Sequence, residues 1–271
     1  MVLRLEYRTS SSIPVEVEGF TPDLLRGKTV AEIERMEIFH GNRKEPLAAF
    51  FNVSGDAADE IHHWEGDLSG VHWLGTKMRS GEIHIEGRVG RHLGSEMRGG
   101  RITVSGDAGD WVGGEMHGGE IHVRGRAGHL IGAAYRGSPK GMTGGTIVID
   151  GDVGNEVGHT MRRGLLVVGG NAGDLIGFNM LAGTILVFGN SGIRHGAGMR
   201  RGTLGFFGEQ LPPLLPSFRH ACRYRPEFLG ILSRALQGRG ISVAASLSQG
   251  LVDLYHGDMI EGGRGEILLR A

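Results

Sequence analysis

Pairs of apolar residues recur along the middle of the chain, each pair separated by a single residue. This alternation has the two-residue period of a β-strand with one face turned to a core. Each pair lies five and seven residues after a methionine, and successive methionines are nineteen residues apart except between Met116 and Met142. The pattern therefore predicts seven short strands on a nineteen-residue repeat. The pairs are Ile83/Ile85, Ile102/Val104, Ile121/Val123, Ile147/Ile149, Leu166/Val168, Ile185/Val187 and Leu204/Phe206.

The one longer interval contains the segment YRGSPKG, residues 135–141. Tyr135 stands nineteen residues after Met116, where the next methionine is due. We interpret these seven residues as an insertion that bulges from one coil of a repeated structure.

Glycines occupy fixed places in the repeat, three, nine, twelve and sixteen residues after the methionine, and the chain has 50 glycines in 271 residues. Glycine permits positive φ and close approach of the backbone to its neighbours. A short strand followed by glycines at constant offsets is typical of one coil of a stacked solenoid. We therefore predict an all-β dominated fold, a right-handed single-stranded parallel β-helix with nineteen-residue coils, over residues 51–208.

The flanking segments lack the repeat and predict caps on both ends of the β-helix. Residues 1–50 contain a short strand, VLRLEY, and a partly helical segment from Pro22, and form the predicted N-terminal cap. Residues 209–271 form the predicted C-terminal α/β cap. There a helix is expected at 226–237 with Gly238 as its stop, followed by a strand, a glycine turn and a strand.

Composition narrows the classes of function. With 30 acidic and 29 basic residues the chain is nearly neutral, which argues against a general nucleic-acid binder. The lone cysteine, Cys222, argues against a disulfide framework, and no apolar run is long enough for a signal peptide or membrane span. We expect a cytoplasmic protein that contacts neither membrane nor nucleic acid.

The sequence contains no motif that marks a catalytic or ligand-binding site, so we expect this chain to carry no catalytic, cofactor-binding or metal-binding residues. The glycine-rich segments lack the GxGxxG pattern that opens a helix in dinucleotide-binding proteins. They also lack the GxxxxGK(S/T) pattern of phosphate-binding loops. A calcium β-roll needs the same aspartate in every coil, and that column alternates with arginine, as at Arg88 and Asp107. His84 and His122 share a column two coils apart, on the order of 10 Å, too far to share one ion.

Two surface trends suggest contacts with a partner. An outward position turns apolar in later coils at Val148, Val167 and Leu186, and Phe188 lies beside it. Such a strip must be covered, either by the C-terminal helix of the chain itself or by another subunit. A basic column follows the methionines at Arg79, Arg98, Arg162 and Arg200, and suggests a solvated ladder, an acidic partner or an anionic ligand.

The recurring pattern GxxxGxxMxxGxIxVxG resembles the GXGXG-type β-helix domain at the C-terminus of glutamate synthase. More closely, the chain resembles the C subunit of formylmethanofuran dehydrogenase and that of its bacterial counterpart, the formyltransferase/hydrolase complex. The likeness covers nearly the whole chain. It is carried by the nineteen-residue coils and by GNRKEPLAAFFNVSGD (41–56), GDLSGVHWLGTKMRSGEIHIEG (66–87) and LYHGDMIEGGRGEILLR (254–270).

The resemblance implies a structural, non-catalytic subunit, with amidohydrolase-like A, B and formyltransferase D subunits as partners. It also implies that zinc is bound in another subunit and that the complex uses a methanofuran-type carrier. That complex moves a formyl group from formyl-tetrahydromethanopterin to the carrier and hydrolyses it to formate, in formaldehyde oxidation. Alternatives are the C subunit of the archaeal dehydrogenase of methanogenesis, a subunit that binds the carrier tail, or a glutamate synthase-like channel domain. Arginine outnumbers lysine 25 to 4. Because this ratio suggests a GC-rich bacterial genome, it favours the bacterial complex.

Overall fold

The computed structural model describes residues 2–9, 11–238 and 250–271. Residues 239–249, which belong to the predicted C-terminal cap, lie outside the described residues. The described chain is mostly β, with seventeen strands, short helices and one large mixed sheet.

The seven predicted strands are confirmed, and each pairs in parallel with the next. Residues nineteen positions apart are direct partners, as Ile83 is with Ile102. Across the insertion the partners are Ile121 and Ile147, so the extra residues leave the register intact. The strands are β8 (Glu82–Ile85), β9 (Arg101–Val104), β10 (Glu120–Val123), β11 (Thr146–Ile149), β12 (Leu165–Val168), β13 (Thr184–Val187) and β14 (Gly202–Phe206).

The N-terminal segment builds a smaller sheet and adds strands to the large one. A four-stranded sheet of the described chain has the order β4-β3-β2-β7, and β1 lies in the large sheet between β5 and β6. The elements are β1 (Leu3–Tyr7), β2 (Val15–Glu16), α1 (Pro22–Leu25), α2 (Val30–Glu34), β3 (Glu37–His40), β4 (Arg43–Pro46), β5 (Phe51–Ser54), β6 (Ile61–Glu65) and β7 (Val71–His72).

The C-terminal segment continues the large sheet. Its elements are β15 (Arg219–Tyr224), α3 (Glu227–Gln237), β16 (Val252–Gly257) and β17 (Gly265–Arg270). Strand β17 pairs in parallel with β14, and β16 and β15 follow antiparallel. The predicted helix and the predicted strand, turn and strand are thus confirmed. The thirteen described strands of this sheet end at β15 on one side and β5 on the other.

Between strands, the repeats remain in contact through backbone hydrogen bonds. The amide of Gly113 donates to the carbonyl of Leu93 at 2.8 Å, and Gly177 donates to Val157 at 2.8 Å. Isolated parallel bridges also join Val89 to Ala108 and Val153 to Ala172. Each repeat is therefore bonded to its neighbours at several points along its path.

The core is a continuous column of apolar side chains. Met97, Met116 and Met161 have no exposed surface, and neither do Ile102 and Leu166. Burying one such side chain contributes roughly 1.5–3 kcal/mol to folding. Repetition of the same buried positions gives the array its stability.

Candidate interaction surfaces

The arginine column lies along one outer edge of the repeats, because each member directly follows a buried methionine. Arg98, Arg162 and Arg200 each donate a backbone hydrogen bond of 2.8 Å to the methionine carbonyl one repeat earlier. The side chains of Arg79, Arg98, Arg162 and Arg200 are all exposed. The equivalent positions of other repeats hold His117, Thr143 and Leu181, so the positive charge is interrupted.

The four arginines differ in their partners. The guanidinium of Arg200 lies 3.2 Å from the carboxylate of Glu261. Among the described residues, Arg79, Arg98 and Arg162 have no carboxylate within 4.0 Å. These three side chains therefore present uncompensated positive charge, which can meet an anionic group.

The apolar strip is covered by the chain itself. Val148, Val167 and Leu186 are at most 1% exposed, because they pack in one cluster with the C-terminal elements. That cover includes Leu229, Leu236, Val252, Leu254 and Leu268. The three strip residues are therefore closed to another subunit here, and the predicted interface at these positions is occupied by α3, β16 and β17.

Phe188, the fourth residue of the predicted interface, is only partly buried at the margin of this cluster. Its ring packs against Phe207 with centroids 5.5 Å apart. The margin of the strip is thus the part that keeps some exposed apolar surface.

An aromatic cluster that the sequence reasoning missed lies on another face of the early repeats. The rings of Trp73 and His92 stack with centroids 3.9 Å apart and an interplanar angle of 5°, and His92 stacks on Trp111 at 5.5 Å. Tyr135, the first residue of the insertion, contacts all three rings. Trp73, His92 and Trp111 each stand five residues before a methionine, and this recurrence is the signal that could have revealed the cluster.

Burial sets the protonation of this cluster at neutral pH. It lowers the pKa of His92 to about 4, with smaller effects from His72 and Arg91. Burial also raises the pKa of Tyr135 to about 12. The imidazole and the phenol are therefore both neutral, and they act as hydrogen-bonding and stacking groups.

A groove of about 510 Å³ lies between the N-terminal segment and the first repeats. Its cations are already paired, since Arg91 lies 3.2 Å from Asp110 and Arg88 lies 3.7 Å from Asp107. The remaining lining includes Ser11, Ser12, Ser69 and His72. The groove is polar and nearly balanced in charge.

The other histidines and the cysteine are dispersed. His84 and His122 are separated by Thr103 in the strand register, whereas His63 is the direct partner of His84, with ring centroids 5.0 Å apart. Cys222 is exposed on β15. No group of three or more His, Cys, Asp or Glu side chains that could hold a metal ion occurs within residues 2–9, 11–238 and 250–271. Of the helices in the described part of the chain, none has the length and apolar character needed to cross a membrane.

Comparisons with known proteins give a consistent result. The GXGXG motif family matches residues 71–212, more than half of the chain. One component of the formyltransferase/hydrolase complex from Methylorubrum extorquens, solved in complex with methylofuran, has a TM-score of 0.89 and 32% identity. That match covers 99% of both chains.

Curated relatives match over a shorter segment. The C subunit of molybdenum-containing formylmethanofuran dehydrogenase 1 from Methanothermobacter thermautotrophicus is 40% identical over 87 residues, which are 32% of this chain and 22% of that protein. The C subunit of tungsten-containing formylmethanofuran dehydrogenase 2 from Methanothermobacter wolfeii is 34% identical over 85 residues, 30% of this chain and 32% of that protein. The matched segments thus span less than a third of these relatives.

Proposed function

We propose that this chain, which belongs to the GXGXG motif family, is a structural, non-catalytic subunit of a formyltransferase/hydrolase complex. Its similarity over 85 to 87 residues to formylmethanofuran dehydrogenase C subunits supports this role. This complex would transfer a formyl group from formyl-tetrahydromethanopterin to a methanofuran-type carrier and hydrolyse it to formate. The observation that carries the proposal is the full-length similarity, at 32% identity and a TM-score of 0.89, to a component of such a complex.

The architecture we propose is a right-handed single-stranded parallel β-helix over residues 51–208, with an N-terminal cap (1–50) and a C-terminal cap (209–271). Support comes from the parallel register at nineteen residues and from the hydrogen bonds between repeats outside the strands. The C-terminal cap would close one end by extending the sheet through β17.

A structural role fits the way the interior is used. The core positions of the repeats hold methionine and aliphatic side chains with almost no exposed surface, so substrate has no place among them. Contacts with partners must then use the outer faces. We expect three partners: the amidohydrolase-like A subunit, the B subunit and the formyltransferase D subunit.

The carrier and a zinc ion would be bound mainly by those other subunits. The similar complex contains methylofuran. The side chains of the described chain do not form a ligand set that fits zinc, and we assign no metal-dependent step to them. The exposed free thiol of Cys222 suits a complex that works in the reducing cytoplasm.

Two alternatives have specific support. The identity of 40% over 87 residues to the C subunit of a molybdenum-containing enzyme favours membership of an archaeal-type dehydrogenase. Arg79, Arg98 and Arg162 are exposed and have no carboxylate partner among the described residues, which favours a subunit that holds an acidic tail of the carrier. In that second case, replacing the three arginines by alanine would lower carrier content without dissociating the complex.

Co-purification separates these possibilities. The chain is tagged in its native host, and the proteins that elute with it are identified by peptide sequencing and assayed for formyl transfer and hydrolysis. We expect amidohydrolase-like and formyltransferase chains with both activities, and no turnover of a formylated carrier by the isolated chain. Ordinary turnover by the isolated chain would refute a structural role, and recovery of a molybdenum or tungsten subunit would select the dehydrogenase alternative.

A further inference from the structure

The insertion at residues 135–141 leaves and rejoins the repeat at neighbouring points. The amide of Ala134, just before it, donates to the carbonyl of His159 at 3.2 Å, and Gly141 at its end donates to Thr160 at 3.0 Å. The repeat is therefore complete without the insertion, which forms a loop added to a finished surface.

The loop is fastened to the surface by its first residue. The hydroxyl of Tyr135 lies 2.9 Å from Nδ1 of His92 and 2.7 Å from Oγ of Ser95, two repeats earlier. Its backbone amide donates to the carboxylate of Glu115 at 2.9 Å. The ring also stacks on Trp111 at 5.9 Å.

The surface below Tyr135 is shaped to receive this ring. A Cβ at Gly114 would lie 2.9 Å from the Tyr135 hydroxyl and 3.2 Å from its ring. Position 114 falls in a column that is small beneath the ring, at Ser95 and Ala133, and large beyond the loop, at His159 and Phe178. The early repeats thus leave a notch that the Tyr135 ring fills, and this ring anchors the start of the loop on the surface.

Positive charge collects around the fastened loop. Arg136 and Lys140 are exposed in the loop, and Arg162 and Arg163 are exposed beside its end, where both donate backbone hydrogen bonds to Met142. We name these four residues the loop patch. Within the described residues, none of the four has a carboxylate within 4.0 Å. The nearby carboxylates are engaged, Glu115 by Tyr135 and Glu156 by His159 at 3.0 Å.

We propose that the loop patch is a docking surface for an acidic face of another protein subunit, an inference that rests on the proposed function. Four of the five residues between Tyr135 and Gly141 are exposed, so the loop presents its charges to solvent. Four exposed cations carried on this loop and on the neighbouring repeat match in charge a protein surface lined by aspartate and glutamate. Insertions in repeat proteins commonly lie on the binding face, and a loop that is anchored at its first residue has less conformational freedom to lose on association.

The repeat length provides a precise test. Deleting residues 135–141 joins Ala134 to Met142 and restores the nineteen-residue interval of the other repeats. A second variant, Arg136→Glu with Lys140→Glu, keeps the loop and reverses its charge. The matched control, Lys28→Glu with Arg43→Glu, makes the same change in charge at exposed sites of the N-terminal segment. The thermal midpoint of each variant verifies folding.

The measured quantity is the Kd of each purified chain for the assembly of the remaining subunits, at low and high salt. We expect the deletion and the loop reversal to raise Kd at least tenfold at low salt, with a weaker salt dependence, and the control to stay within twofold of wild type. If both loop variants fold and bind within twofold of wild type, the docking surface is refuted while the proposed function stands. If the wild-type chain itself does not bind the other subunits, the proposed function fails, and this inference fails with it.

Discussion

At the scale of single residues, the glycine columns have two different origins. Gly119, three residues after a methionine, has φ of +89°, and a Cβ there would lie 2.7 Å from Cε of Met97 in the previous repeat. Gly192, twelve residues after a methionine, has no such φ. Its missing Cβ leaves room for the carboxylate of Asp174, which accepts a hydrogen bond of 2.9 Å from the amide of Ile193. One column is therefore required by backbone conformation, and the other by a side chain of the neighbouring repeat.

Because the Asp174 carboxylate fills the space left by the missing Cβ of Gly192, the effects of substitutions at these two positions on stability should not be additive. We expect Gly192→Ala to lower the free energy of unfolding by about 2 kcal/mol through overpacking, and Asp174→Ala to lower it by about 1 kcal/mol through the lost hydrogen bond. The double variant should lose only about 1 kcal/mol, because the backbone nitrogen of residue 174, 3.2 Å from the new Cβ, becomes the nearest obstacle. Denaturant unfolding measures the free energy of unfolding of all three variants.

The control is Gly230→Ala, in open space on α3, which should stabilise the fold by about 0.5–1 kcal/mol. Additive losses in the double variant would contradict this account.

His62 predicts a loss of stability in acid. Its ring is fully buried on β6, and within the described residues neither ring nitrogen has a hydrogen-bond partner. Burial lowers its pKa from 6.5 to about 4. Above pH 6.5 the imidazole ring is neutral in both the folded and the unfolded chain. Between pH 6.5 and 4 only the unfolded chain binds the proton, so stability falls by about 3 kcal/mol across this window.

Replacing His62 by leucine should remove that part of the pH dependence. The free energy of unfolding of His62→Leu minus that of wild type should grow by about 3 kcal/mol between pH 7 and pH 4. His92 and His195, whose pKa values burial also lowers to about 4, remain in both proteins and cancel in the difference. Ile83→Val, at the buried position that pairs with His62 on the next strand, removes no titratable group; it serves as the control and its curve should run parallel to that of wild type. Parallel curves for His62→Leu and wild type would rule out this role for His62.

At the scale of elements, the helix α3 seals the outer face of the repeats. Its buried residues, Leu229, Ser233 and Leu236, follow a helical spacing and meet the strip of Val148, Val167 and Leu186. We expect Leu229→Ala to cost about 2–4 kcal/mol and to release the helix locally. Ile231→Ala, at a position that is 64% exposed, should change stability by less than about 0.5 kcal/mol. Amide hydrogen exchange checks this: in Leu229→Ala the amides of α3 should lose protection while those of β12 keep it, and in Ile231→Ala both should stay protected. Equal protection of α3 in the two variants would show that the helix does not open separately from the repeats.

Elements set by local pattern could be predicted from the sequence, and those set by distant pairing could not. Each repeat strand follows from its own alternating pair, and α3 follows from its apolar spacing and Gly238. The parallel pairing of Gly202 with Gly265, and the insertion of Leu3 beside His62, join segments with no shared repeat. The arginine column was visible in the spacing. The contacts of Tyr135 with His92 and Ser95 could not be predicted, because the loop folds back over two repeats and departs from the nineteen-residue register.

At the scale of the whole molecule, contacts run mainly from each repeat to the next, so stability should be nearly a sum of nearest-neighbour interfaces. The terminal segments enter the same ladder through β1 and β17, and the described sheet ends in antiparallel strands at both edges. The array should therefore tolerate loss of a whole repeat, provided that the register of the remaining repeats is kept.

Deletion of a full repeat tests this directly. Removing residues 142–160, nineteen residues, brings Gly141 before Met161 and lets β12 take the place of β11 beside β10. We expect a cooperative unfolding transition, with Tm lowered by no more than about 10 °C, because a single set of neighbour contacts is lost. Removing residues 142–159, one residue fewer, shifts the junction by one position and turns inward-facing side chains outward. This second deletion should unfold in separate steps or aggregate, since the repeats before and after the junction cannot share a core. Similar melting of the two deletions by circular dichroism would show that register between repeats does not hold the array together.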